Sequence, residues 1–566
     1  MTSQALDSDQ EIIVPHSRDN QGRPVYSTLL TRTEDQREKT LLVRQAATIP
    51  VIFIPGIMGT NLRNKKTQNK VWNPPNTSFA LGDIAHALAA LFVWGMRGPK
   101  RRQELLKAED VEVDDRGSID PGNSALSKEA AQLRGWGKVM RTAYNPIMAL
   151  MESRLDRIVH RAEPQGWWKE AGQHSPADYG EELGNVEKLN QEDLSKASKY
   201  QFDVWCAGYN WLQSNRQSGL DVREFIENTV LPFYRKQGGV APEQLARMKV
   251  ILVTHSMGGL VARALTQIHG YPRVLGVVHG VQPAIGSSAI YHHMRCGYEG
   301  VAQVVLGANA GEVTAVVANS PGALELTPTA EYRGGSPWLF LCDAQGQVIK
   351  DIDGKPRAYP QYGDPYEEIY KSSVWYGLVP EQNNKYLNMS IKQNDGRKGI
   401  RTNFCKLVDA VATFHKELAS SGYHIHTYAH YAADDKRHSW RDMIWQGEAA
   451  LLEVPGAKPE DDENGSYNSW LRRGLPAVTE GPLSFPLTDE SKGSGGDGTV
   501  PTDSGQAPSL AGIPASFRQG GKGKGRYNTA EGYEHQDSYN DERAQWATFY
   551  SVVRIAGLAN WQESTS

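Results

Sequence analysis

Residues 248–265 read MKVILVTHSMGGLVARAL. An apolar run from Met248 to Val253 enters Thr254-His255-Ser256-Met257-Gly258-Gly259, and a helical pattern follows at once, from Gly259 to Ile268. Strand, sharp turn on a serine, helix is the context in which a nucleophile elbow holds its hydroxyl clear of a sheet. Small residues two before and two after the serine let the backbone turn tightly, and the helix aims the positive end of its dipole at the site. Gly258 fills the downstream position. The upstream one holds Thr254 instead of glycine, which predicts a small local adjustment at the strand crossing.

Outward from the elbow, the same type of strand signal recurs at Ile49 to Ile54 (IPVIFI), Phe202 to Ala207 (FDVWCA) and Val274 to Val278 (VLGVV). Continuous apolar runs suit strands buried on both faces of a parallel sheet. A further helix reads from Asp221 to Lys236, so strands and helices alternate, as right-handed α/β crossovers require. The fold class expected is α/β: an α/β-hydrolase fold with a mostly parallel central sheet and two cap insertions. Residues 61–195 and 329–420 are far longer than crossovers and read as the caps. Residues 1–48 form an N-terminal extension, and the core is left with 49–60, 196–328 and 421–566. Within the second cap, WLFLCDAQGQVIKDIDGKPRAY predicts short strands joined by turns at Gln345-Gly346 and Asp353-Gly354. Pro455 to Tyr467 (PGAKPEDDENGSY) reads as a solvated loop.

A serine hydroxyl needs a base, and the oxyanion that forms on attack needs donors. The first strand ends in Pro55-Gly56-Ile57-Met58-Gly59-Thr60, a glycine-flanked loop whose backbone can approach a ligand. The expected oxyanion amides are Met257, directly after the nucleophile, and Ile57 in this loop, with Met58 as the fallback. Acid and histidine should follow in chain order. Gly495-Gly496-Asp497-Gly498-Thr499 places Asp497 in a glycine-rich loop, and Gly532-Tyr533-Glu534-His535 places His535 before a helix from Ala544 to Ala556. The expected triad is Ser256, Asp497 and His535, with Asp343, at the end of WLFLCD, as the rival acid.

Apolar residues make up 39% of the 566, charged residues 22%, and the formal net charge is −4, so nothing points to nucleic acid. Neutral or amphiphilic substrates fit better. The four cysteines, Cys206, Cys296, Cys342 and Cys405, lack metal or redox spacing and are expected as free thiols, although the sequence leaves disulfides open. The N-terminus has neither a basic n-region nor an apolar h-region, so a conventional signal peptide is not expected. Ile84 to Met96 (IAHALAALFVWGM) is too short to span a bilayer and reads either as a buried cap helix or as an interfacial lid making peripheral membrane contact. His424, His426, His430 and His438 cluster in GYHIHTYAHYAADDKRH, but no matching carboxylate or thiolate accompanies them, so strand packing is favoured over a metal. Gly520 to Gly525 (GGKGKG) lacks the strand and the closing Lys-Ser/Thr of a phosphate loop. No cofactor and no metal are expected.

Five segments together resemble the lipase branch that includes lecithin:cholesterol acyltransferase: PGIMGT at 55–60, GYNW at 208–211, THSMGG at 254–259, TYAHY at 427–431 and GDGTVP at 496–501. With the two insertions and the HQDSYND ending at 535–541, the chain further resembles the bacterial type VI secretion lipase effectors, specifically their fourth serine-hydrolase family, related to enzymes that deacylate glycosylphosphatidylinositol. That resemblance implies a phospholipase toxin with a membrane phospholipid substrate, a cognate immunity protein and a secretion-spike component as partners, made in the bacterial cytoplasm and delivered to a target-cell periplasm or a host cell. Two other readings compete. An intracellular lipase or acyltransferase would pass the acyl group to an alcohol. A catalytically dead binding module is disfavoured, because every triad position holds a competent residue.

Overall fold

In the computed structural model, residues 16–18, 24–26, 47–73, 97–160, 163–184, 186–236, 242–298, 307–388, 397–447, 458–470, 483–488, 495–521 and 525–561 are described. The Ile84 to Met96 segment lies outside them.

The centre is a six-stranded sheet of β1 (Ala47–Ile54), β2 (Tyr200–Cys206), β3 (Val250–His255), β4 (Val274–Gly280), β5 (Thr427–Ala432) and β6 (Ala515–Gln519). Their spatial order is β6-β5-β4-β3-β1-β2, and every neighbouring pair runs parallel. Successive side chains of one strand leave on opposite faces, and the core divides accordingly. Ile52, Ile54, Val250 and Leu252 pack with Val222, Ile226, Leu260 and Val261 on one face. Val51, Phe53, Ile251 and Val253 pack with Tyr144, Met148, Phe549 and Val553 on the other. Two-sided burial explains why these strands read as unbroken apolar runs rather than alternating ones.

The elbow helix Gly258–Arg263 continues as a π-helical turn, Ala264–Ile268. The helix expected from Asp221 begins earlier, at Asn215, and runs through a π turn (Ile226–Val230) into Leu231–Lys236. Helix Arg141–Asp156, from the first insertion, and the C-terminal helix Glu542–Ala556 both cover the second face.

A second sheet is mixed, in the order Ala358–Tyr359, Leu339–Cys342, Met443–Gln446, Leu483–Thr488, Ser466–Trp470, Lys458–Asp461. The turns expected at Gly346 and Gly354 are present, both glycines at positive φ. After β5 the chain therefore returns to this second sheet, and it rejoins the core at Gly495. The segment read as a solvated loop departs from expectation from Lys458 onward, since Lys458–Asp461 and Ser466–Trp470 pair antiparallel. Two of its four acidic residues, Asp462 and Glu463, occupy the connecting turn, where Asp462 Oδ1 accepts from the amides of Asn464 and Ser466. Asp461 instead turns inward to a buried ion pair with Arg295 at 2.7 Å. Among the described residues no helix is long and apolar enough to cross a membrane, and all four cysteines are free thiols.

Candidate active site

Strand β3 delivers the chain to Ser256, which sits at φ 53, in the left-handed region. Such a conformation in a non-glycine residue is held only where its surroundings over-determine it. Here the Ser256 amide donates to the Gly280 carbonyl at 2.9 Å, and the Gly259 amide returns to the Ser256 carbonyl at 2.9 Å. Gly258 is required by crowding, because a Cβ there would stand 2.4 Å from the Ile54 carbonyl oxygen. Thr254 needs no adjustment: the β-ladder is regular around it, and its hydroxyl lies 3.1 Å from His279 Nδ1. The register shift in β3 falls instead between Val250 and Ile251.

His535 Nε2 is 2.8 Å from Ser256 Oγ, and His535 Nδ1 is 2.7 Å from Asp497 Oδ2. All three side chains are largely buried. The other oxygen of Asp497 is fixed by the amides of Thr499 (3.0 Å) and Val500 (2.7 Å), so the carboxylate cannot rotate away from the imidazole. Backbone ties hold the two loops in register: the His535 amide donates to the Asp497 carbonyl at 2.9 Å, and the Gly498 amide to Ser439 Oγ at 2.9 Å. The rival acid Asp343 does different work, its carboxylate accepting from the amides of Gln345 and Gln347 to shape a turn of the second sheet.

The loop after β1 lies against the elbow, and a Cβ on Gly56 would stand 2.9 Å from Ser256 Cβ. The Gly56 amide is already committed to Tyr144 Oη at 3.3 Å. Ile57 and Met257 make no amide hydrogen bond among the described residues. Met58, at φ 62, gives its carbonyl to Trp72 Nε1 at 2.7 Å. Beside Met58 lies a crevice lined by Trp72, Trp211, Val313, Val316 and Val317, with only about 10 Å³ of free space. That is room for a single water.

A second polar line runs beneath the elbow and has no signature in the motif. Tyr144 Oη is 3.2 Å from His255 Nδ1, and His255 Nε2 is 3.0 Å from the His535 carbonyl. Burial, followed by the nearby His535, pushes His255 down to about 3, so it is neutral and supports the His535 loop without charge. Burial pushes the Tyr144 phenol up to about 12. Tyr144 is 111 residues from His255 in the chain, inside the first insertion.

The histidine cluster does not converge. His430 is buried against Tyr539, ring centroids 5.4 Å apart, and His438 lies opposite Gly495 in a short ladder. His424 and His426 contact each other at 5.7 Å between centroids. Among the described residues no group of three His, Cys, Asp or Glu side chains is placed to hold a metal. Of the GGKGKG stretch, Gly520 and Gly521 cover the end of β6 with positive φ, and residues 522–524 lie outside the described residues.

No family model and no curated protein matches the chain. Among solved structures, the crystal structure of the Tle4-Tli4 complex contains a chain that is 68% identical in sequence, with a TM-score of 0.84, over 91% of this chain and the whole of that one. Similarity of that degree over nearly the whole of both chains places this chain in the Tle4 family.

Proposed function

We propose that the chain is a serine-dependent lipase that hydrolyses ester bonds of membrane phospholipids, with Ser256 as nucleophile, His535 as general base and Asp497 as the acid that orients it. The reading rests on one observation, the unbroken line from Ser256 Oγ through the imidazole to the Asp497 carboxylate at 2.8 and 2.7 Å. On attack, His535 Nε2 takes the hydroxyl proton while Asp497 stabilises the imidazolium. The amides of Ile57 and Met257, left unspent by the fold, receive the oxyanion. His535 then protonates the departing alcohol, and water repeats the sequence on the acyl-enzyme. No step calls for a metal or an organic cofactor.

The biological role follows from family membership. The 68% identity to a chain of the Tle4-Tli4 complex supports the reading as an antibacterial type VI secretion lipase effector with a cognate immunity protein; to that reading belong a spike component as carrier and delivery to the target-cell periplasm or a host cell. The test is fatty-acid release from phospholipid vesicles by the wild type and Ser256→Ala. The variant should lose a factor of about a thousand or more while keeping its melting temperature. Wild-type turnover by Ser256→Ala, or no covalent labelling of the wild type by a fluorophosphonate, would end the assignment.

A further inference from the structure

Five arginines are buried among the described residues: Arg102, Arg134, Arg263, Arg295 and Arg543. Four of them face a carboxylate: Arg102 at 3.4 Å from Glu312, Arg134 at 2.5 Å from Glu152, Arg295 at 2.7 Å from Asp461 and Arg543 at 2.7 Å from Asp541. Arg263, on the elbow helix and 4% exposed, makes no ion pair. Its guanidinium lies over the Tyr423 ring, 4.2 Å from the centroid, and donates only to carbonyls: Nε to Gly422 at 3.2 Å, Nη1 to Ala284 at 3.3 Å and Nη2 to Leu418 at 2.7 Å. Leu418 and Gly422 belong to the C-terminal end of helix Arg397–Ser421, whose dipole supplies about half a negative charge. About half of the guanidinium charge is left unmatched, and with three of its five N–H donors spent, two remain.

Arg263 lines a cavity of about 260 Å³ that shares no residue with the triad or with the loop after β1. The cavity lies between the elbow helix and helix Thr502–Leu510, which follows the acid loop. Leu260, Pro283, Ile285 and Leu418 make its walls largely apolar, and its rim includes the exposed Glu331, Leu510 and Ala511. The other ionisable groups around it do not neutralise the guanidinium. Glu325 turns its carboxylate to Ser214 Oγ and the Asn215 amide, at 2.6 and 2.7 Å. Burial holds His415 neutral, with one ring nitrogen 2.8 Å from Tyr366 Oη and the other 2.8 Å from the Glu325 carbonyl. Glu331 stands in solvent at the rim, where its field is screened.

A buried cation with donors to spare, in the wall of an apolar cavity, calls for an anion carried on an apolar chain. The planar guanidinium fork matches a carboxylate. The volume falls just below the roughly 300–1,000 Å³ of drug-sized sites, which suits a medium chain and is too small for a whole diacyl lipid. We propose that this cavity binds a medium-chain carboxylate, its head on Arg263 and its tail along Ile285 and Leu510. On the lipase reading above, such a molecule is what ester hydrolysis releases, so the source of the ligand rests on that reading while the site itself does not.

The experiment is isothermal titration calorimetry of the wild type, Arg263→Gln and Ala419→Trp with octanoate, octanol, octylammonium and inorganic phosphate. Ala419 is an exposed position that lines the cavity, so Ala419→Trp fills the space while leaving Arg263 and its carbonyl partners in place. That variant decides the matter if Arg263→Gln, which loses its hold on a helix end, fails to fold. The wild type should bind octanoate about tenfold or more tightly than each of the other three probes, and each variant should weaken octanoate by about tenfold or more. Equal binding of octanol, tighter binding of octylammonium or phosphate, an unchanged octanoate affinity in Ala419→Trp, or no binding at millimolar octanoate overturns the proposal. Octanoate contains no ester, so the lipase reading is judged separately, by turnover of p-nitrophenyl butyrate by Ser256→Ala.

Discussion

Acidification from pH 7 to pH 5 should strip most of the stability from this fold. His255, His279, His292, His415 and His430 are each no more than 5% exposed, and burial holds the first three down to about 3 and the other two to about 4. Their pKa values are depressed on folding, so below about pH 6.5 the unfolded chain binds protons that the folded chain refuses, and stability falls with pH. Between pH 7 and pH 5 each histidine costs just below about 2 kcal/mol, or about 9 kcal/mol together. One group opposes them. Burial raises Glu325 to about 7 despite hydrogen bonds from Ser214 and Asn215, so it takes up its proton in the folded state first and returns about 2 kcal/mol over the same interval. The net loss of about 7 kcal/mol compares with the roughly 5–15 kcal/mol by which domains are usually stable. Guanidinium unfolding followed by tryptophan fluorescence at the two pH values measures it directly. His292, stacked on Trp440 with centroids 3.6 Å apart, supplies the internal control: His292→Phe should reduce the pH-dependent loss by about 2 kcal/mol. A difference between pH 7 and pH 5 under about 2 kcal/mol in the wild type would refute the reasoning.

Asp497→Asn should keep the fold and lower kcat by about 10⁴, whereas Asp343→Asn should leave vesicle hydrolysis within about twofold; equal losses would remove Asp497 from its role. Tyr144→Phe deprives both the Gly56 amide and His255 of a partner and should cost about 1–3 kcal/mol in unfolding free energy together with a fall in kcat, since the deleted hydroxyl touches the loop after β1 and the elbow at once. Asp461→Asn removes the counter-charge of the fully buried Arg295 guanidinium, which keeps its bond to the Gly377 carbonyl, and should destabilise by about 3 kcal/mol in chemical unfolding. Gly258→Val should abolish labelling by a fluorophosphonate, because its side chain must displace the Ile54 carbonyl and with it the turn that presents Ser256.

The core strands were legible because burial on both faces leaves an unbroken apolar run, and Ser256, Asp497 and His535, which the fold brings together, because glycine-rich flanks mark the loops that carry them. The start of the helix at Asn215 was not. Asn215-Arg216-Gln217-Ser218-Gly219 has no apolar period, and the helix begins there because Ser214 caps it while Glu325, remote in the chain, accepts from the Asn215 amide at 2.7 Å. The hairpin at Lys458–Asp461 and Ser466–Trp470 was hidden because its turn is acidic enough to resemble a solvated loop, while the ion pair that anchors it depends on Arg295. Tyr144 could not be found at all, since it stands in no motif and its importance comes from what it touches across the fold.

The hydroxyl of Tyr144 also limits how such a protein can be recombined. Residues 61–195 look like a detachable insertion, yet one of their side chains is hydrogen-bonded to the loop after β1 and to the turn that carries Ser256. A chimera that borrows this segment from a relative inherits a working site only if the donor supplies a phenol at the same point. Grafts confined to the second sheet leave that hydroxyl and both of its partners in place.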